Sequence, residues 1–211
     1  SGSLSDSTIV DVSSGASYVL GKSDTVGGLQ GAGSVDLNGN ELTVSQSASQ
    51  ATFSGSISGS AATSHFRKGG AGTLILSGNN TYAGNTFVDA GALSVSGSLS
   101  DSTIVDVSSG ASYLLGESDT IGGLQGAGSV DLNGNELTVS QSASQATFSG
   151  SIFGSAAKSN FRKGGEGTLI LSGNNTYAGN TFVDAGALSV SGSLSDSTVV
   201  DVSSSAAYVL G

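Results

Sequence analysis

The sequence contains no cysteine, proline, methionine or tryptophan among its 211 residues. Without cysteine there are no disulfides and no thiolate metal sites, which fits export through a periplasm. Only 10% of the residues are charged and 6% are aromatic, and the lysine, glutamate and glutamine that helical globules use are scarce. The composition therefore favours an all-β protein, with Val, Leu, Ile and Ala scattered among Ser, Thr, Gly and Asn.

Basic residues are also scarce, since 6 Lys and Arg stand against 16 Asp and Glu and give a net charge of -10. A chain with no basic stripe is a poor partner for nucleic acid or for an anionic membrane. No apolar run approaches the roughly 18 to 20 residues of a spanning helix, so we expect no membrane insertion of this segment. No signal peptide opens the chain, and we expect it to be a piece of a larger protein.

The segment SGSLSDST begins at Ser1, Ser96 and Ser191. Because 96 − 1 and 191 − 96 both give 95, the chain is two full copies, 1–95 and 96–190, followed by the start of a third, 191–211. No linker separates the copies, and we therefore predict one continuous solenoid.

Seven positions differ between the two full copies. They are Val19/Leu114, Lys22/Glu117, Val26/Ile121, Ser58/Phe153, Thr63/Lys158, His65/Asn160 and Ala71/Glu166. The two apolar exchanges conserve size, which a core tolerates, so we expect them inside and the other five at the surface.

Apolar residues alternate with polar ones over short runs that end at Gly, Asn or Ser, as strands and turns do. The runs TLIL (73–76), ALSV (92–95) and SYLL (112–115) recur about every 20 residues. This spacing is typical of one coil of a β-solenoid and predicts roughly ten coils, or a rod about 50 Å long. The alternative is a meander or sandwich in which VDLNGNELTV (35–44) forms a hairpin. Tandem copies without a linker favour the solenoid.

The motif GxGTLxLSGxNTYxGxTxVxxGxL spans Gly70 to Leu93 and Gly165 to Leu188. It resembles the passenger-associated repeat of bacterial autotransporters, and VDLNGNELTV resembles another segment of the same passengers. The resemblance implies a right-handed parallel β-helix, exported through an outer-membrane barrel and displayed on a Gram-negative cell. It also implies adhesion to host surfaces or matrix, self-association and biofilm formation.

Within the motif, Thr73–Leu76 and Thr86–Val88 are predicted strands. Gly78, Asn79 and Asn80 are predicted to turn the corner with left-handed backbone geometry. Tyr82 is expected to cover that corner with its hydroxyl in solvent.

Catalytic and metal-binding patterns find little support. His65, the only histidine, is Asn160 in the second copy, and Asp11, Asp36, Glu41 and Asp89 are spread singly along the chain. DLNGNE (36–41) lacks the spacing of a calcium loop. We therefore expect no enzyme activity, no cofactor and no metal.

The distinctive local feature is a basic-aromatic segment at 57–69, repeated at 152–164, on an otherwise acidic chain. Its candidate ligand-binding residues are Phe66, Arg67, Lys68, Phe161, Arg162 and Lys163. An arginine beside an aromatic ring is a common interface anchor. The competing interpretation directs both phenylalanines into the core and leaves the basic residues to solubilise a strand edge.

The leading functional hypothesis is a surface adhesin repeat that binds a host extracellular-matrix protein, such as fibronectin or collagen, or another cell-surface protein. Two weak sites on one stiff rod would add avidity. The alternatives are homotypic association with the same protein on a neighbouring cell and a passive stalk that carries an adhesive tip.

Overall fold

The computed structural model describes residues 3–47, 49–142, 144–196 and 198–211. It is an all-β parallel solenoid in which the described residues form 26 short strands wound into ten coils, as the 20-residue spacing predicted. Each coil crosses three faces, named A, B and C below. All strand pairs are parallel, and a strand inside a sheet pairs with strands of the coils before and after it. The described residues include no helix that could cross a membrane.

Face A is an eight-stranded sheet. Its strands, in order along the rod, are β1 (Ile9–Val12), β4 (Gly28–Gly31), β7 (Gln50–Phe53), β10 (Thr73–Leu76), β12 (Ala92–Val95), β14 (Ser112–Leu115), β17 (Ser129–Asp131) and β20 (Ser151–Phe153). The face continues past β20 through the bridge between Asn174 and Ser193.

Face B consists of a three-stranded and a five-stranded sheet joined by the bridge between Asn79 and Ser98. Its strands are β2 (Ser17–Val19), β5 (Ser34–Asp36), β8 (Ser56–Ser58), β15 (Asp119–Ile121), β18 (Glu136–Ser140), β21 (Asn160–Gly164), β23 (Thr181–Val183) and β25 (Val200–Val202).

Face C is a ten-stranded sheet that contributes one strand to every coil. Its strands are β3 (Asp24–Val26), β6 (Leu42–Ser45), β9 (Phe66–Gly69), β11 (Thr86–Val88), β13 (Ile104–Val107), β16 (Gly123–Gly126), β19 (Gln145–Phe148), β22 (Thr168–Leu171), β24 (Ala187–Val190) and β26 (Ala207–Leu210).

The core is a narrow column of inward side chains that stack in register from coil to coil. On face A, Leu74, Leu93, Tyr113, Val130 and Ile152 are successive Cα partners, and all five are fully buried. Strand alternation places every second residue inside, so each coil adds a few apolar side chains, each worth about 2 kcal/mol on burial. The predicted continuous core is therefore present.

The hairpin alternative for VDLNGNELTV is wrong. Val35 lies in β5, which pairs with β2 and β8, whereas Leu42 lies in β6, which pairs with β3 and β9. Asn38 and Gly39, with φ of 48° and 81°, turn the chain from face B to face C. Their left-handed backbone geometry forms a corner between two faces and does not reverse the chain into a hairpin.

The predicted strands of the repeat motif are confirmed as β10 and β11, but its corner differs from the prediction. Neither Asn79 nor Asn80 has positive φ. Instead, Asn80 is buried, and its side chain accepts a hydrogen bond from the Ile57 backbone and donates to the Ser98 carbonyl, so it joins three coils. Tyr82 is also fully buried, and its hydroxyl contacts Thr86 Oγ1 at 2.6 Å instead of solvent.

The exchange Val26/Ile121 lies in the core as expected, because both side chains are fully buried. The expectation for Val19/Leu114 is wrong, since the Val19 residue is 55% exposed and Leu114 points outward. The other five exchanged positions are exposed or half-buried, as expected. The two copies therefore share nearly the same interior and differ mainly on their outer faces.

Residues 95 positions apart lie on different faces. β1 lies on face A, whereas β13, which starts 95 residues later, lies on face C of the fifth coil. In the same way β2 on face B corresponds to β14 on face A, and β3 on face C corresponds to β15 on face B. Ninety-five residues thus span four coils and two further faces, and equivalent outward residues of successive copies point away from different sides of the rod.

One corner of the rod is packed so tightly that only glycine fits. A Cβ added to Gly55 would lie 1.7 Å from the Gly33 carbonyl oxygen, and one added to Gly78 would lie 2.0 Å from that of Gly55. The obstacles are backbone atoms of the coil before, which cannot rotate away. This column of glycines sets the distance between successive coils at the corner.

We expect Gly55→Ala to lower the free energy of unfolding by about 3 kcal/mol or more, because the new methyl group forces two coils apart. Gly21→Ala is the control, since a Cβ added to Gly21 would have no atom within 4 Å. Denaturant unfolding followed by circular dichroism measures both variants, and equal midpoints would contradict the role of the corner.

Candidate functional site

The basic-aromatic segment forms a loop at 59–65 followed by β9, with an equivalent loop before β21. The first loop is fastened to the turn of the coil before it. Thr63 Oγ1 donates to the Gly39 carbonyl at 2.8 Å, and Ser64 Oγ accepts from the Gly39 backbone at 3.1 Å. The segment is therefore held closely against the rod and does not project from it.

His65 and Asn160 do the same structural work, which explains their exchange. His65 Nδ1 accepts a hydrogen bond from the Asn85 backbone at 2.8 Å, and Asn160 Oδ1 accepts one from the Asn180 backbone at 2.9 Å. Each side chain thereby satisfies a backbone donor of the next coil. The position requires an acceptor, and either residue type supplies one.

Phe66 and Phe161 are fully buried in the core, as the competing interpretation of the segment has it. Each ring packs against the tyrosine of the next coil, with ring centroids 6.1 Å apart for Phe66 and Tyr82 and 6.2 Å apart for Phe161 and Tyr177. In the folded rod these rings fix the stacking of coils and present no area to a partner.

Lys68 and Lys163 also lie inside, although sequence reasoning placed them on a strand edge. Lys68 Nζ donates to the backbone carbonyls of Gly69, Gly70 and Ala90 at 2.7, 2.9 and 3.0 Å. Burial lowers the pKa of Lys68 to about 8 and also lowers that of Lys163. Strand alternation contained the signal, because a lysine two residues after a core phenylalanine points the same way.

Arg67 and Arg162 are the members of the candidate set that reach the surface, each with 30% of its side chain exposed. Arg67 lies 4.2 Å above the ring of Phe87 and forms ion pairs with Glu41 at 3.2 Å and Asp89 at 2.7 Å. Its Nε and one terminal nitrogen are thus occupied within the chain.

Arg162 repeats this arrangement over Phe182, at 4.3 Å, with Glu136 and Asp184 as its carboxylate partners. We name each group of four residues an arginine platform. Because Arg67 lies on face C and Arg162 on face B, the two platforms face different sides of the rod.

The acidic residues that looked isolated in the sequence are engaged within the rod. Asp11 accepts from Gln30 Nε2 at 2.9 Å, and Asp36 accepts from the Asn38 backbone at 2.9 Å. Glu41 and Asp89, 48 positions apart in sequence, meet at Arg67. The described residues include no group of three or more His, Cys, Asp or Glu suited to hold a metal.

A buried polar cluster that sequence reasoning missed lies where the first full copy meets the second. Asp119 is only 8% exposed and accepts a hydrogen bond from the Leu99 backbone at 3.1 Å. The Tyr113 hydroxyl faces this carboxyl and has no partner in hydrogen-bonding geometry among the described residues. Burial, helped by the nearby charge of Asp101, raises the pKa of Asp119 to about 6, although backbone donors oppose the shift.

Lys68→Met removes the donor shared by three carbonyls and should lower the free energy of unfolding by about 2 kcal/mol. The exposed Lys22 provides the control, as Lys22→Met removes the same charge without a buried contact. Urea titration compares the two variants with the parent chain. Equal stability of Lys68→Met and Lys22→Met would mean that the internal ammonium is dispensable.

Acidification should stabilise the rod through Asp119. Its pKa of about 6 exceeds the value of 3.8 for an unperturbed aspartate, so the folded chain binds this proton more tightly between those pH values. Stability from this group therefore falls as pH rises through the window, by about 3 kcal/mol in total. The measurement is the difference in unfolding free energy between the parent and Asp119→Asn at pH 4 and pH 7. An unchanged difference would contradict the raised pKa.

Comparison with known proteins agrees with the repeat motif. The protein family described as Passenger-associated-transport-repeat matches residues 66–95 and 161–190. The chain is also 38% identical over 198 residues to an adhesin, the BmaC autotransporter of Brucella suis biovar 1 (strain 1330). The match covers 82% of this chain and 5% of that protein. No solved structure matches the chain. The chain therefore carries two passenger-associated transport repeats, and over most of its length it is similar to a short passenger segment of an autotransporter adhesin.

Proposed function

We propose that the chain is a non-enzymatic adhesive segment, displayed on the extracellular face of the outer membrane of a Gram-negative cell. The similarity to the Brucella adhesin carries this proposal. The ten-coil rod supports it, because a stiff solenoid holds its outer faces in fixed directions over its whole length. The non-enzymatic role is also supported by the charged residues Arg67, Glu41, Asp89 and Lys68, which form ion pairs and hydrogen bonds that join successive coils.

The architecture proposed with this function is one continuous right-handed solenoid. Copies 1–95 and 96–190 and the start of a third, 191–211, follow one another in it without a break. Continuous sheets support this division, because β12 at the end of the first copy pairs directly with β14 of the second. Parallel strand crossovers are almost always right-handed, which supports the winding sense.

The proposed partner is a host extracellular-matrix protein, such as fibronectin or collagen, bound through the arginine platforms. Phe66 and Lys68 flank Arg67 in its strand, as Phe161 and Lys163 flank Arg162, but all four are buried, so only the arginines offer their remaining guanidinium donors to a partner. Since the platforms lie on different faces, a flat ligand meets one of them at a time. Two independent sites per chain follow, without the avidity that two aligned sites would give.

We expect saturable binding of the 211-residue chain to one member of a panel of matrix proteins, and at least tenfold weaker binding by Arg67→Gln with Arg162→Gln. Each single variant should keep one site of two, which binding stoichiometry by isothermal titration calorimetry measures. Unlike alanine changes at the buried phenylalanines, these substitutions leave the core intact. Lys22→Gln is the matched control for loss of a surface charge.

Equal binding by the parent and the double variant would place adhesion outside the platforms. No binding to any panel member, with concentration-dependent dimers instead, would favour homotypic association. A strictly monomeric chain that binds no panel member would favour a stalk.

A further inference from the structure

The second copy carries an exposed aromatic side chain that the first copy lacks. Phe153 ends β20 on face A and is 38% exposed. Its Cα partner in the coil before is Asp131, and the partner of Asp131 is Leu114. In the first copy the corresponding outward column is Val19, Asp36 and Ser58 on face B.

Two of the seven exchanges between the copies therefore fall in a single outward column. Both exchanges, Val19/Leu114 and Ser58/Phe153, enlarge the apolar surface on either side of an aspartate that is the same in both copies. Random exchange on the surface has no reason to concentrate there. The column is thus a local difference in surface chemistry between two otherwise matched copies.

A small cavity of about 220 Å³ adjoins the ring. Its walls are Asp131, Asn133, Gly134, Phe153, Ser155 and Ala156. Asp131 Oδ1 accepts from the Asn133 backbone at 2.9 Å, and Asn133 Nδ2 donates to the Leu115 carbonyl at 3.2 Å, so these walls are fixed. Among the described residues, none donates a hydrogen bond to Asp131 Oδ2.

The two arginine platforms show which group binds next to a phenylalanine ring and carboxylates in this protein. At both arginine platforms a guanidinium stacks on the ring at 4.2 or 4.3 Å and pairs with neighbouring carboxylates. Phe153 and Asp131 supply the ring and a carboxylate a third time. No described arginine or lysine of the chain stacks on the Phe153 ring.

We propose that Phe153, Asp131 and the adjoining cavity bind an arginine side chain exposed on an extracellular protein partner. The ring supplies a cation–π face, and the free carboxylate oxygen supplies a charge-assisted acceptor. The net charge of -10 attracts basic segments to the rod. Lys158, exposed two residues beyond Ala156, opposes the incoming cation and so limits the affinity.

An aliphatic partner would use the same surface differently. It would depend on Phe153 and Leu114 but not on the Asp131 charge, and its binding would respond little to salt. A guanidinium requires both the ring and the carboxylate, and screening by salt weakens it. The partner chemistry is therefore accessible to experiment.

The probe is a fluorescent ten-residue peptide with four arginines, compared with the same peptide carrying citrulline, which has the shape of arginine without its charge. We expect the intact chain to bind the arginine peptide, and Phe153→Ser and Asp131→Asn each to weaken that binding about tenfold. Phe153→Ser installs the residue found at position 58, so the fold already accommodates it. Asp36→Asn, the matched change in the first copy, should leave binding unchanged, and Lys158→Thr should tighten it.

Equal binding of the arginine and citrulline peptides, or full binding by Phe153→Ser, would overturn the inference. The inference rests on the proposed adhesive role only in one respect, namely that the arginine belongs to an extracellular protein. Binding of the arginine peptide with no matrix-protein binding would reject that role and keep the guanidinium site. Matrix binding that needs Arg67 and Arg162, together with equal binding of the arginine and citrulline peptides, would keep the adhesive role and reject the guanidinium site.

Discussion

The structure depends on parallel hydrogen bonding between successive coils. Each coil has to repeat the path of the one before it closely enough for backbone donors and acceptors to meet over three faces. This constraint explains why the glycine column tolerates no side chain, since Gly55 and Gly78 pass directly over carbonyl oxygens. It also explains Asn80, which replaces a missing strand on face B by bonding to coils on both sides. The repeat motif is best understood as a set of residues that keep coils in register.

The same constraint governs the charged residues. A rod with a narrow core has little room for ionisable groups, yet Lys68 and Asp119 both lie inside it, at the cost of shifted pKa values. Lys68 stabilises a corner of the rod, because its ammonium group donates hydrogen bonds to three backbone carbonyls from two successive coils. Outside, each arginine platform joins charged residues that are far apart in sequence but lie on successive coils. Many of the few charged side chains thus bind neighbouring coils together, and correspondingly few of them remain available to contact a partner.

The solenoid, its coil length and most of its strands could be predicted from the sequence because alternation and a 20-residue period are local signals. The outward or inward direction of a corner residue was harder to predict. Tyr82 and Lys68 carry polar ends, which suggested solvent, but contacts with other coils decide their position. The pairing of Glu41 with Asp89 around Arg67 was also hidden, because it depends on how many residues each coil contains. Val19 shows the converse, since an apolar residue in an alternating run lies outside.

Equivalent residues of successive copies are separated by four coils and two faces, so they follow a helical path around the rod. In an array of such copies, a given outward group would point to each of three sides in turn and return to the first side after three copies. That return takes fourteen coils, or about 67 Å at the usual strand spacing. Neighbouring groups on such a rod never compete for the same flat target, whereas groups three copies apart face it together. The number of contacts that an array makes with one flat target would then increase by one for every three copies added.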